Sequence, residues 1–348
     1  ATGVGTVAAQ AGTSNITISD DSLAACIAAD LGADPGNTFT VDQLAEVVVL
    51  HCDGNDDSGA VASLSGASAL SGLTELSLSG SAVTDLSPLA GLANLTSLSV
   101  QSSRLSSVSA LSSLSGLRSL SLDSAMLTDV SALSGLTSLT TLGLTAPLTS
   151  LRSLSALTHL TTLGVVSAKL TDLSPLASLT SLQSLQLTVP AASDLVPLSG
   201  LTKLGQLRVD SGAASLSPLA GLTGLTALQV SSATLSSIAP LAGLSRLGTL
   251  SVTDSPVSDV SPLSHLTGLT ELHLDRDLVA DVSPLAGLSG LTVLSLDGDQ
   301  ITDPSPIARL TGLSSLSLTD NQLSDVSALK ALVDYYWLDL SGNQISDL

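Results

Sequence analysis

The chain has 348 residues, 44% of them hydrophobic and 1% aromatic, so any core must be filled by Leu, Val, Ala and Ile in thin layers, and a bulky aromatic-centred globule is excluded. Lys and Arg number 10 against 30 Asp and Glu, and a formal charge of -20 repels polyphosphate backbones, which removes nucleic acid from the expected partners. No run of roughly 18 apolar residues occurs, so the positive mean hydropathy of +0.50 reflects regularly spaced leucines and not a membrane span.

Residues 1–15 are small and polar and read as a flexible lead-in, with neither the basic start nor the apolar run of a secretory leader. From Ile16 the character changes. Asp20 or Asp21 can cap a helix through LAACIAADL to about Leu31, with Gly32 ending it. Thr40 can cap a second short helix over VDQLAEV, and VVVLHC follows as an entry strand. Residues 16–60 therefore read as a helical cap with its entry strand. About four extra residues within DGNDDSGA form a loop before the repeats begin.

Residues 61–348 carry a repeat of about 22 residues. Equivalent leucines fall at Leu73, Leu95, Leu117, Leu139, Leu160, Leu182, Leu204, Leu225, Leu247, Leu269, Leu291 and Leu313, and Tyr335 opens a thirteenth, incomplete unit, so the array reads as truncated. The units starting at Leu139 and Leu204 are one residue shorter, and the missing residue is expected in a turn near Ala146-Pro147 and near Ala213-Ser215. In Leu76-Ser77-Leu78 the alternation turns both leucines inward and Ser77 outward, the period of a strand with one buried face. Asp85-Leu86-Ser87-Pro88-Leu89 then starts a capped helical turn, and Pro recurs at 175, 197, 218, 240, 262, 284 and 306. The predicted fold is an α/β solenoid, a horseshoe or curved rod. It has a parallel sheet on its concave face, short helical turns on its convex face and a small helical N-terminal cap.

The stretch Leu313 to Leu323 reads L-x-x-L-x-L-x-x-N-x-L, and Leu291 to Ile307 continues it in varied form through D-x-x-P-I. These residues, with ISDDSLAACIAADLG and TFTVDQLAEV before them, resemble the bacterial internalin-type leucine-rich-repeat proteins with their helical cap, over roughly residues 16–348. The resemblance implies a secreted or bacterial-surface protein, non-enzymatic, whose concave sheet binds another macromolecule, a protein or a glycan, in adhesion. The chain departs from the family pattern at the turn asparagine. By leucine spacing Asn stands there only at Asn321 and Asn343, with Ser81, Ser103, Ala125, Ala168, Pro190, Gly212, Ala233, Ser255, Asp277 and Asp299 elsewhere.

The outward strand positions are mostly Ser and Thr, among them Ser77, Ser99, Ser121, Thr141, Ser251, Ser295 and Ser317. Those that stand out are Gln186, Gln206, Arg208, Asp210, Gln229, Glu271, His273, Asp275, Asp297, Trp337 and Asp339, and these are the candidate partner-binding residues. Against this stands a solvated sheet with no ligand. Trp337, with Tyr335 and Tyr336, anchors a partner or shields the end of the leucine stack. Asp259, Asp281, Asp303, Asp325 and Asp347 recur once per unit and cap their own turns or bind Ca2+. Ca2+ could also sit on Asp53, Asp56 and Asp57, or on Asp275, Asp277, Asp297 and Asp299. No other cofactor is expected.

Cys26 and Cys52 are the only cysteines, either two buried thiols or a disulfide pinning the cap, and the family resemblance favours the disulfide. No Ser-His-Asp or Cys-His grouping recurs, so catalysis has no candidate residues. A monomer is expected unless the C-terminal edge self-associates. Two rival readings remain: a self-associating structural rod of the envelope or matrix, and a Ser/Thr-rich face that binds ice or another surface.

Overall fold

The structure, a computed structural model, describes residues 14–54, 59–332 and 336–346. It is a leucine-rich-repeat solenoid in two compact units, residues 1–127 and 128–348. Asp56, Asp57, Tyr335 and Asp347 lie outside the described residues.

In the first unit β1 (Asn15–Thr17) pairs antiparallel with β2 (Thr38–Thr40), so the first strand takes in Asn15, the last residue of the expected lead-in. Ile16 stands opposite the buried Phe39, and covering that ring holds the short pair together. Helix α1 (Asp21–Asp30) is capped by Asp20, whose Oδ1 accepts from the Leu23 amide at 2.9 Å. Its Oδ2 accepts from the amides of Ala62 and Ser63, both at 2.8 Å, so one carboxylate caps the helix and ties it to the first repeat. Helix α2 (Val41–Glu46) starts in a capping box: the Gln43 amide donates to Thr40 Oγ1 at 3.2 Å, and the Thr40 amide to Gln43 Oε1 at 2.9 Å. Cys26 on α1 and Cys52 on β3 (Val49–Asp53) are joined by a disulfide, with their Cα atoms 5.8 Å apart. Parallel strands β4 (Glu75–Ser81), β5 (Ser97–Ser102) and β6 (Ser119–Asp123) follow β3, in register except for a shift between Leu78 and Ser81 where β4 meets β5.

The second unit continues with β7 (Thr141–Thr145), β8 (Thr162–Val166), β9 (Ser184–Val189), β10 (Gln206–Ser211) and β11 (Ala227–Ser231). After them come β12 (Thr249–Thr253), β13 (Glu271–Asp275), β14 (Val293–Ser295), β15 (Ser315–Ser317) and β16 (Trp337–Asp339). Each strand pairs in parallel with the next. The inward leucines are buried, Leu185 and Leu228 to 1% exposure and Leu250 and Leu272 to 0%. After each of β7 to β15 the chain forms one short 3-10 turn, such as Ser283–Gly287, with Pro in its first turn in many units.

The turn after the strand departs from the spacing-based expectation. In the C-terminal repeats a residue in the left-handed region, Asp254 (φ 54), Arg276 (φ 57), Gly298 (φ 71), Asp320 (φ 52) or Gly342 (φ 72), turns the next residue inward. Those inward residues are Ser255, Asp277, Asp299, Asn321 and Asn343, and Gly80 (φ 59) does the same for Ser81. In the middle repeats the strand alternation instead runs one step further and buries Ser102, Ser124, Ser167, Ser211 and Ser232. The turn positions assigned to Ser103, Ala125, Ala168, Gly212 and Ala233 are thus corrected by one residue. Hydroxyls of Ser102, Ser124, Ser167 and Ser232 donate to the carbonyls of Val83, Leu105, Leu148 and Ala213 in the preceding repeats at 2.8, 2.7, 2.8 and 2.7 Å. These serines do part of the work expected of an asparagine ladder. In the two shorter units the residue is missing from this turn: the buried Ala146 is followed two residues later by the buried Leu148, and the buried Ser211 likewise by Ala213.

Candidate functional site

Strand alternation puts Gln186, Arg208, Gln229, Ser251 and His273 in one outward row, in register across β9 to β13. Gln206, Ala227, Thr249 and Glu271 form the adjacent row. Side-chain height varies along both rows. On β11 and β12 the outward residues include Ala227, Thr249 and Ser251, all short, whereas β10 carries Gln206 and Arg208 and β13 carries Glu271 and His273. The result is an open depression of ≈ 540 Å3 floored by β11 and β12.

Gln186, Gln206, Arg208, Gln229, Glu271, His273 and Asp275 all line this depression. Asp210 borders a smaller neighbouring hollow of ≈ 290 Å3 that also touches Arg208 and Gln229. Asp297, Trp337 and Asp339 stand outside both. Sequence reasoning passed over Ala227 and Thr253, because it sought large side chains, and the floor needs small ones. The signal was available as the contrast between Ala227 and the long residues one unit away.

The walls differ in charge. Glu271 Oε1 and His273 Nε2 are 2.9 Å apart on β13, with Asp275 two residues on. Arg208 forms no ion pair among the described residues and is flanked in register by the carboxamides of Gln186 and Gln229. On the first unit His51 and Glu75 make a similar pair at 3.1 Å across β3 and β4, which sequence reasoning did not single out.

Asp275 gives one carboxylate oxygen to the scaffold and Asp297 gives both. Asp275 Oδ1 accepts from the Ser295 hydroxyl at 2.6 Å and the Asp297 amide at 3.1 Å, and Asp297 Oδ1 from the Ser317 hydroxyl at 2.5 Å and the Thr319 amide at 2.8 Å. Ser317, expected outward and solvated, is buried, with its hydroxyl turned to Asp297. Asp339 accepts from Ser341, and Trp337 on β16 is 49% exposed beside Tyr336 at 94%.

The once-per-unit acids accept from the first amide of their own turns: Asp259 from Ser261 at 2.9 Å, and Asp281, Asp303 and Asp325 from Ser283, Ser305 and Ser327 at 2.8 Å. Hydrogen bonds from those serines hold all four carboxyls below the usual range. Among the described residues no three His, Cys, Asp or Glu side chains stand together as a metal site.

Two acids behave oppositely. Burial pushes Asp277 up to about 8, against the Ser255 amide that it accepts, with the charges of Asp299, Asp275 and Asp254 adding to the rise. Burial likewise pushes Asp299 up to about 7, against the Val279 amide, with Asp275 adding. Their Oδ2 atoms are buried without hydrogen-bond partners.

Neither a protein-family model nor a curated sequence matches the chain. Among solved structures it is similar to an internalin (inlF) of Listeria monocytogenes, at 33% identity over 92% of this chain and 95% of that one, with a TM-score of 0.86. The functional domain of InlJ from the same organism shares 23% identity over 92% of this chain and 79% of that one, TM-score 0.67. A Leptospira interrogans leucine-rich-repeat protein shares 20% over 88% of this chain and 93% of that one, TM-score 0.57. The last two likenesses show the fold. The InlJ domain includes a cysteine ladder, whereas this chain has two cysteines, bonded to each other.

Proposed function

The chain belongs to the internalin family of leucine-rich-repeat proteins, and from that premise we propose that it is a non-enzymatic recognition module of a secreted or bacterial-surface protein, which binds a protein ligand in adhesion through the outward face of β9 to β13. The observation that carries this reading is the depression over β11 and β12, where the candidate residues converge on an otherwise uniform Ser/Thr face. Such a polar, wet surface without aromatic anchors suits a weak contact strengthened by multivalent display. A surface or secreted location accords with the disulfide, which forms in oxidising compartments, and among the described residues no helix is long and apolar enough to cross a membrane.

The test is binding of the fluorescently labelled chain to cultured epithelial cells, before and after treating the cells with protease or with glycosidases. Binding should be lost after protease and kept after glycosidase. The combined Arg208→Glu, Gln229→Ala, His273→Ala variant should lower it at least about tenfold, a loss of about 1.4 kcal/mol, with an unchanged circular dichroism spectrum. Unchanged binding by that variant removes the assignment to this face, and loss only after glycosidase makes the ligand a glycan.

A further inference from the structure

The depression is asymmetric in a way that selects one kind of occupant. Arg208 stands on its β10 wall with Gln186 and Gln229 in register on either side, so one guanidinium and two carboxamides can offer N–H donors to the same acceptor. Asp210, two residues further along the strand, borders the neighbouring hollow and not this one. On the β13 wall Glu271 and Asp275 present carboxylates on either side of His273. Between the walls the floor is Ala227 on β11 and Thr249 and Ser251 on β12, short enough to admit a side chain from above, with Gln229 of β11 rising at the Arg208 side.

The separation of the two walls is fixed by the sheet. From β10 to β13 is three strand spacings of about 4.8 Å, or roughly 14 Å. An extended segment lying across the strands advances about 3.4 Å per residue, so four residues cover that distance. Four is an even number, and residues i, i+2 and i+4 of an extended segment point to the same side. Both terminal side chains therefore reach down to the walls while the central one enters the space over Ala227 and Ser251. A spacing of three or five would point one of the two charges away.

We propose that this depression receives an extended segment of a partner protein that carries a carboxylate side chain and a Lys or Arg side chain four positions apart. The carboxylate sits on Arg208 between Gln186 and Gln229, the cation sits between Glu271 and Asp275, and a small or medium side chain midway fills the floor. This inference rests on the outward-face reading given above and specifies what that face takes. Charge complementarity at two fixed points, and not buried apolar area, sets its selectivity.

The experiment is selection of a random dodecapeptide library, displayed on yeast, with the intact chain as bait. Peptides that survive are re-tested against the Arg208→Glu and Gln229→Ala variants, each first shown to fold by circular dichroism. The expected outcome is enrichment of an acid and a base four positions apart. A synthetic representative should lose at least about tenfold in affinity when its base is moved by one position. Arg208→Glu should abolish its binding, and replacing the acid of the peptide by Lys should restore binding to that variant. Enriched peptides that lack the spaced pair but depend on Arg208 and Gln229 overturn the inference and leave the outward-face reading standing. Enriched peptides indifferent to both variants, or no enrichment at all, also overturn it, and the cell-binding experiment then decides separately whether the face binds a ligand.

Discussion

Asp277 and Asp299 occupy the inward position held by Asn321 two repeats and one repeat later, respectively. Asn321 uses both ends of its carboxamide: Oδ1 accepts from the Ile301 amide at 3.0 Å, and Nδ2 donates to the Leu296 carbonyl, 25 residues back, at 2.6 Å. Asp299 reproduces the first bond, from the Val279 amide 20 residues back, Asp277 accepts instead from the Ser255 amide 22 residues back, and both leave Oδ2 without the second. A protonated carboxyl has a hydrogen to donate from Oδ2, and the carboxylate has none. The sign of the pH dependence follows. Unfolded, both acids ionise near 3.8; folded, at about 8 and about 7. Between those values the unfolded chain holds fewer protons. The stability these groups allow is therefore fully present below about pH 4, falls as pH rises by up to about 1.4 kcal/mol per unit per group, and levels off above about pH 8. Turn-capping carboxyls such as Asp259, held low, titrate below this window. Thermal melts should show a lower Tm at pH 8 than at pH 5, and Asp277→Asn with Asp299→Asn should raise the pH 8 value and flatten the profile. A double variant less stable than wild type at pH 8 would refute the account.

At the scale of the element, the two turn types make different demands. In the serine type a buried hydroxyl donates to the preceding repeat, so Ser124→Ala should cost about 1–2 kcal/mol in urea unfolding by stripping the Leu105 carbonyl of its donor, while the outward Ser121→Ala should stay within about 0.5 kcal/mol. In the left-handed type the backbone itself is the constraint. Gly298 has φ 71, and a Cβ there would also press on Arg276 Cγ at 3.1 Å, so Gly298→Ala should cost about 1–2 kcal/mol. Arg276 carries the same conformation as a non-glycine residue and spends its guanidinium on Asp254, with bonds of 2.6 and 2.9 Å. The cap depends on covalent chemistry as well as hydrogen bonds. The disulfide closes a loop of 26 residues, so reduction should remove about 3–4 kcal/mol from the first unit. Hydrogen exchange in α1 should rise on reduction while that in β11 and β12 stays unchanged.

Across the whole molecule, net charge outweighs any single contact. With 30 acids against 10 bases, repulsion within the folded chain exceeds the attraction of its few ion pairs, and mobile ions screen it within about 10 Å at 0.1 M salt. Raising NaCl from about 20 to about 300 mM at pH 8 should therefore increase Tm by a few degrees. A fall in Tm would mean that attractive pairs such as Arg276–Asp254 matter more than the net charge.

Much of this was legible without coordinates, and the rest was not for a definite reason. Leucine spacing marked the strands of the parallel sheet, the buried positions Leu76, Leu142 and Leu294 and the outward residues of β9 to β13, and capping residues marked the helices at Asp20 and Thr40, because period-2 alternation, a fixed repeat length and capping act locally along the chain. The short pair β1 and β2 joins residues more than 20 apart and was not legible. The same spacing could not distinguish the two turn types. Val100 and Leu105 are five positions apart, as are Leu318 and Leu323, yet one path extends the strand to bury Ser102 and the other turns through Asp320 to bury Asn321. Equal lengths leave the leucines in place either way, so the choice of inward polar residue is made by which backbone path lets its side chain reach the carbonyls and amides of the repeat before it. Tertiary stacking likewise decided that Ser317 turns in to Asp297, that Asp277 and Asp299 lose their solvent, and that short residues between long ones become a depression. Each of these depends on side chains 20 or more residues apart standing side by side.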